Sequence, residues 1–139
     1  VKVAIDRDQH EFYRQLIGRS DDDAPGSGIF ATMKDVFLVS LGLGVRNGNP
    51  VPLQKRVEIF ESTGFTAAEW AALEAVYVGL NKNLSGLDGS VGDQRNNELV
   101  IRFVEEFANS GVVILRTNLD PRNAEIDLAY LLLADPVSA

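Results

Sequence analysis

Apolar residues recur along this chain at two different spacings. Val1-Lys2-Val3-Ala4-Ile5 alternates apolar with other positions, and that period of two predicts a short strand. Phe12, Tyr13, Leu16 and Ile17 then return at helical spacing. Asp6 or Asp8 is placed to cap that helix, with carboxylates near its positive end, and Gly18 to stop it. After Asp35 the segment running to Val45 is apolar nearly all round, which predicts a helix buried on most sides. Thr32 with Asp35 three positions later marks its start, close to a capping box. Ser40, Gly42 and Gly44 weaken helix propensity, by about 1 kcal/mol for each glycine. The use expected for these small residues is close approach of a neighbouring backbone. Asn47-Gly48-Asn49-Pro50 reads as a turn.

In the second half, Leu53, Val57 and Phe60 predict a short helix with Lys55, Arg56 and Glu58 outward. Phe65-Thr66-Ala67-Ala68-Glu69 has the form of a capping box, with Phe65 and Trp70 as its hydrophobic staple. Trp70, Leu73, Val76, Tyr77 and Leu80 continue as one stripe. Asp93 is the expected cap of a helix running to Ser110, with Leu99, Val100, Phe103, Val104 and Phe107 inward. Gly111 is expected to end it as a left-handed residue, with Val112 packing back on Phe107. The β-branched run Val112-Val113-Ile114-Leu115 reads as a buried strand that pairs with Val1–Ile5. A Leu-rich helix, opened by Asp120 or Asn123, spans Ala124–Ala134 and stops before Pro136.

These elements predict a mainly α fold: one helical domain over residues 1–139 with a minor two-stranded β-sheet, Val1–Ile5 with Val112–Leu115. Residues 20–28 and 85–92 are rich in Gly, Ser, Asp and Pro and are expected to be flexible loops. With 139 residues, such a domain buries roughly two-thirds of its unfolded surface, enough for a core without cross-links. No internal repeat is visible.

Composition narrows the chemistry. The absence of Cys excludes disulfides, thiolate metal sites and thiol nucleophiles, and a single His excludes any site needing two imidazoles. No apolar run approaches the ~20 residues of a membrane span. No signal peptide pattern opens the chain, so a cytoplasmic location is expected. Asp21-Asp22-Asp23 reads as a solvated acidic loop rather than a cation site. Asp88, Ser90 and Asp93 resemble the start of a calcium loop, but Leu99 stands where its terminal Glu belongs. Gly42 and Gly44 interrupt an apolar helix and lack the Lys-Ser/Thr of a phosphate-cradling loop. His10 beside Glu11, with Asp6 and Asp8 near, has the residue types of an acid–base pair but no nucleophile in a recognisable setting. Neither a catalytic residue nor a metal or other cofactor is expected.

Basic and acidic residues number 13 and 20, a net charge of −7, and no basic run exceeds two residues. Nucleic-acid affinity depends mainly on cations displacing phosphate counterions, so the balance argues against a free-standing strong DNA binder. Lys34, Arg46, Lys55 and Arg56 form the candidate contact with DNA or with an acidic partner. In the C-terminal segment, Ile126, Leu128, Leu131 and Leu132 spread over more of a helix than one small domain normally covers. Self-association through them and burial of a terminal helix both fit.

Two stretches carry a resemblance. The first is Phe30-Ala31-Thr32-Met33-Lys34-Asp35-Val36-Phe37, continuing to Gly44, Arg46, Gly48 and Pro52-Leu53. The second is Glu105-Glu106-Phe107-Ala108-Asn109-Ser110-Gly111. Together they resemble the DNA-phosphorothioation (Dnd) system-associated protein 4 family, in order over roughly residues 1–119, with Phe107 at the family's Tyr position. The loops and the tail after Pro121 lie outside that span. The resemblance implies a bacterial, non-enzymatic accessory protein of DNA phosphorothioate modification or restriction, within antiviral defence. Its implied partners are other proteins of that system, with DNA contacted weakly or within a complex. Regulatory DNA binding through the local basic patch is the alternative. No active-site residue carries over.

Overall fold

A computed structural model describes residues 1–19, 28–81 and 94–119. The two expected loops (apart from Gly28), the expected Asp93 cap and the Leu-rich segment with Ile126, Leu128, Leu131 and Leu132 lie outside the described residues.

The first strand, β1 (Lys2–Asp6), leads directly into helix α1 (Arg7–Leu16). Asp6 makes the join: one carboxylate oxygen accepts from the Asp8 amide at 3.2 Å, capping α1. The other accepts from the Gln54 amide at 2.8 Å, fastening the approach to the second strand. Gly18 closes α1 with φ of 70°, which only a residue lacking Cβ adopts readily. Helix α2 (Met33–Asn47) begins with the expected Thr32–Asp35 capping box and ends at Gly48, φ 72°. After strand β2 (Arg56–Glu61) and a 3₁₀ turn at Ser62–Gly64, helix α3 (Ala67–Leu80) starts at the Thr66–Glu69 capping box. Phe65 and Trp70 meet there edge to face at 5.8 Å, the predicted staple. Helix α4 (Gln94–Asn118) completes the described elements.

The molecule is mainly α with a minor sheet, as expected, but the sheet has a different second strand. β1 pairs antiparallel with β2, from Lys2↔Glu61 to Asp6↔Arg56. The short helix expected over Leu53–Phe60 is therefore a strand from Arg56 onward, with Val57 and Ile59 alternating with Arg56 and Glu58. The expected partner of β1, Val112–Leu115, lies inside α4, and Gly111 does not end that helix. Burial decides the matter. Val112 and Leu115 are buried and Val113 is exposed, the spacing a helix needs to lay one stripe on the core. β propensity yields to this tertiary packing.

The core is centred on the contact between α2 and α4. Val36, Phe37, Leu41 and Leu43 of α2 pack with Val100, Ile101, Val104, Phe107 and Val112 of α4 in one cluster. Gly44 and Gly111 let the backbones touch. A Cβ at Gly44 would strike the Phe107 carbonyl, and one at Gly111 would strike the Ser40 carbonyl. The close approach expected of Ser40 and Gly44 is thus present, whereas Gly42 faces open space. Side-chain volume at either contact would force the helices apart.

Candidate binding site

The four predicted contact cations do not converge. Lys34 and Arg46 stand in the first and last turns of α2, about 18 Å apart along its axis. Lys34 Nζ donates to the Gly64 carbonyl at 3.1 Å and to Glu69 Oε1 at 3.0 Å, tying α2 to the start of α3. Arg56 grips Glu105 with both guanidinium nitrogens, at 2.8 and 3.0 Å. Arg46 and Lys55 are exposed.

Glu105 is the most heavily engaged charge among the described residues. Its side chain is 0 % exposed, while those of Arg56 and Arg102 are 41 % and 39 % exposed. Besides Arg56, it accepts from Arg102 at 3.0 Å and from the Ala4 amide at 2.7 Å. A buried carboxylate is tolerated when its lone pairs are filled in this way. Here it joins β1, β2 and α4. Tyr13 and Ser40 bring two further buried hydroxyls together. Burial pushes the Tyr13 phenol well above its usual range, against a smaller lowering by the Ser40 hydroxyl that faces it. That contact falls short of full hydrogen-bond geometry, so neither hydroxyl is well satisfied.

A cleft of about 940 Å³ opens between α1, the start of α2 and the end of β2. His10, Arg14 and Arg19 line one wall, Thr32, Met33 and Lys34 a second, and Ile59, Phe60, Thr63 and Gly64 a third. Arg14 is steadied by the Arg19 carbonyl at 2.8 Å and by Glu11 at 3.5 Å. Its lining carboxylate, Glu61, lies 3.3 Å from Lys2 Nζ, which lowers the Glu61 pKa. Composition and spacing did not single out Arg14 or Arg19, because only the fold brings them beside Lys34. His10 is on this wall, and among the described residues no His, Cys, Asp and Glu group is placed to hold a metal ion. No described helix is long and apolar enough to cross a membrane.

The profile of the family described as DNA sulphur modification system-associated protein 4 matches residues 2–136. The chain belongs to that family. No curated protein and no solved structure matches it. The match extends past the span over which the motifs alone suggested the relationship. Within the fold, the residues that carry those motifs act as frame. Thr32 and Asp35 cap α2, Lys34 ties it to Glu69, and Gly44 admits the Phe107 carbonyl. Glu105 holds the sheet, and Asn109 Nδ2 donates to the Val51 and Pro52 carbonyls at 3.1 and 3.3 Å. Membership places the chain in association with a DNA sulphur modification system.

Proposed function

We propose that this family member is a non-enzymatic accessory or adaptor of a DNA phosphorothioate modification or restriction system in antiviral defence, acting in the cytoplasm through protein–protein contacts. The observation that carries the reading is the outer face of α3. Ala68, Ala71, Ala72, Ala75 and Val78 are all exposed, Val78 by 53 %, and Glu69 and Glu74 are the helix's charged residues. A helix with so little charge and so little of its apolar surface covered fits a protein partner. The family match makes another protein of the sulphur-modification system the natural occupant. The motif residues give further support, because the ones described above serve packing and caps rather than meeting at a reactive centre.

Direct DNA contact is assigned to the exposed Arg46 and Lys55, because the Arg56 guanidinium is committed to the buried Glu105 and Lys34 stands at the far end of α2. Two exposed cations support a weak contact, or one made within an assembly. Self-association through Ile126, Leu128, Leu131 and Leu132 remains part of the proposal. The test is affinity purification of the tagged full chain from cells carrying the modification genes, with nuclease present. Co-purification of system proteins, lost in Ala71→Glu/Val78→Glu, is expected. Tight binding of the isolated chain to duplex DNA, abolished by Arg46→Glu/Lys55→Glu, would replace this reading with regulatory DNA binding.

A further inference from the structure

We propose that the cleft between α1, α2 and β2 binds a nucleoside phosphate, with the phosphate among Arg14, Arg19 and Lys34 and the base against Met33, Ile59 and Phe60. The inference does not depend on the partner reading above.

Its first support is shape. The volume, about 940 Å³, suits one small ligand, and small-molecule sites commonly occupy roughly 300–1,000 Å³. The walls come from three segments distant in sequence, so the concavity is a product of the fold. Its apolar side also depends on an irregularity in the sheet. Val3 pairs with Phe60 and Ala4 with Glu58, so Ile59 is an extra, bulged residue in β2. A regular strand sends successive side chains to opposite faces, yet Ile59 and Phe60 both line the cleft. Bulges re-aim side chains in this way and recur beside binding sites.

Charge supplies the second support. Among the described residues three cations and His10 line this cleft; Lys34 is paired with Glu69 and Arg14 with Glu11, and Lys2 offsets the lining carboxylate of Glu61. That concentration is unusual in a chain whose net charge is −7. Lys34 Nζ makes two bonds and has a third hydrogen to donate, and the Arg19 guanidinium offers a planar fork suited to phosphate, with the charge of Arg14, held by Glu11 and the Arg19 carbonyl, beside it. Thr32 Oγ1 accepts from the Asp35 amide and keeps its own hydrogen for a ligand oxygen, with the Thr63 hydroxyl also in the lining. Cations beside an aromatic and aliphatic wall match a ligand with a phosphate at one end and a flat ring at the other.

The test is an amide-resolved NMR titration of the ¹⁵N-labelled full chain. The probes are adenosine monophosphate, adenosine, inorganic phosphate, a Glu-rich peptide and a single-stranded oligodeoxynucleotide. Adenosine monophosphate is expected to shift the Lys34, Phe60, Thr63 and Gly64 amides saturably. Adenosine and phosphate alone should bind about tenfold more weakly, a difference of about 1.4 kcal/mol. Arg19→Glu should weaken adenosine monophosphate about tenfold without changing the thermal unfolding midpoint, and Arg14→Gln should act in the same direction. Any of three results would overturn the proposal: no saturable shift, shifts that survive both substitutions, or tighter binding of the peptide or the oligonucleotide at the same amides.

Discussion

Gly44 and Gly111 sit face to face where α2 crosses α4. A Cβ on Gly111 would lie 2.7 Å from the Gly44 nitrogen, and one on Gly44 would lie 3.2 Å from the Gly111 nitrogen. The obstructing atoms are backbone, which cannot rotate aside. Gly111→Ala is therefore expected to cost about 3 kcal/mol, the upper end of ordinary overpacking. Gly42→Ala, on the open side of the same helix, should gain about 0.5–1 kcal/mol through lower chain entropy in the unfolded state. Urea unfolding of the two variants checks the contrast. Equal effects would refute the crossing.

Glu105 separates structural from superficial charge. Removing it leaves Arg56, Arg102 and the Ala4 amide without their shared acceptor, so Glu105→Ala is expected to lose about 3–5 kcal/mol. Arg102→Met should lose no more than about 1 kcal/mol, because its guanidinium is partly solvated and Arg56 still neutralises the carboxylate. Denaturant midpoints at constant ionic strength measure both.

The helical state of residues 112–115 makes opposite demands on neighbouring positions. Val113 is 47 % exposed and Leu115 is buried. Val113→Glu should change stability by less than about 0.5 kcal/mol. Leu115→Ala should cost about 2–5 kcal/mol. Calorimetry of the two proteins distinguishes a helix from the strand suggested by the β-branched run.

Acid stability should depend on Glu69. The Thr66 amide, joined by the Lys34 ammonium, holds the Glu69 carboxyl below its usual 4.5. A carboxyl lowered in the folded state contributes stability above its unfolded value and loses it as pH falls through the folded one. Glu69→Gln is expected to show a smaller fall in melting temperature than the parent chain between pH 6 and pH 3. An identical fall in both proteins would remove Glu69 from the acid limb.

What the chain disclosed from its residues was local. Thr32 with Asp35, Thr66 with Glu69, and Phe65 with Trp70 are caps and staples set by neighbours a few positions away, and the structure contains each of them. Long-range contacts hid the rest. Arg56-Val57-Glu58-Ile59 already alternates charged with β-branched residues, but Leu53 and Phe60 also fit a helical period, and only pairing with β1 decides between them. Gly111 followed by Val112 has the pattern of a helix end, yet the need for a side-chain-free contact with Ser40 keeps it helical. The cleft was least legible. Arg14, Arg19 and Lys34 come from separate segments, and the bulge that turns Ile59 toward them cannot be read from spacing.

The separation in sequence between β1 and its partner also bears on synthesis at the ribosome. At roughly 5–20 residues per second, β1 waits several seconds before β2 exists. The carboxylate that fastens both strands emerges later still. Until then the nascent chain presents an apolar ribbon with unmatched amides, so the earlier-made of the two strands is among the last elements to be secured.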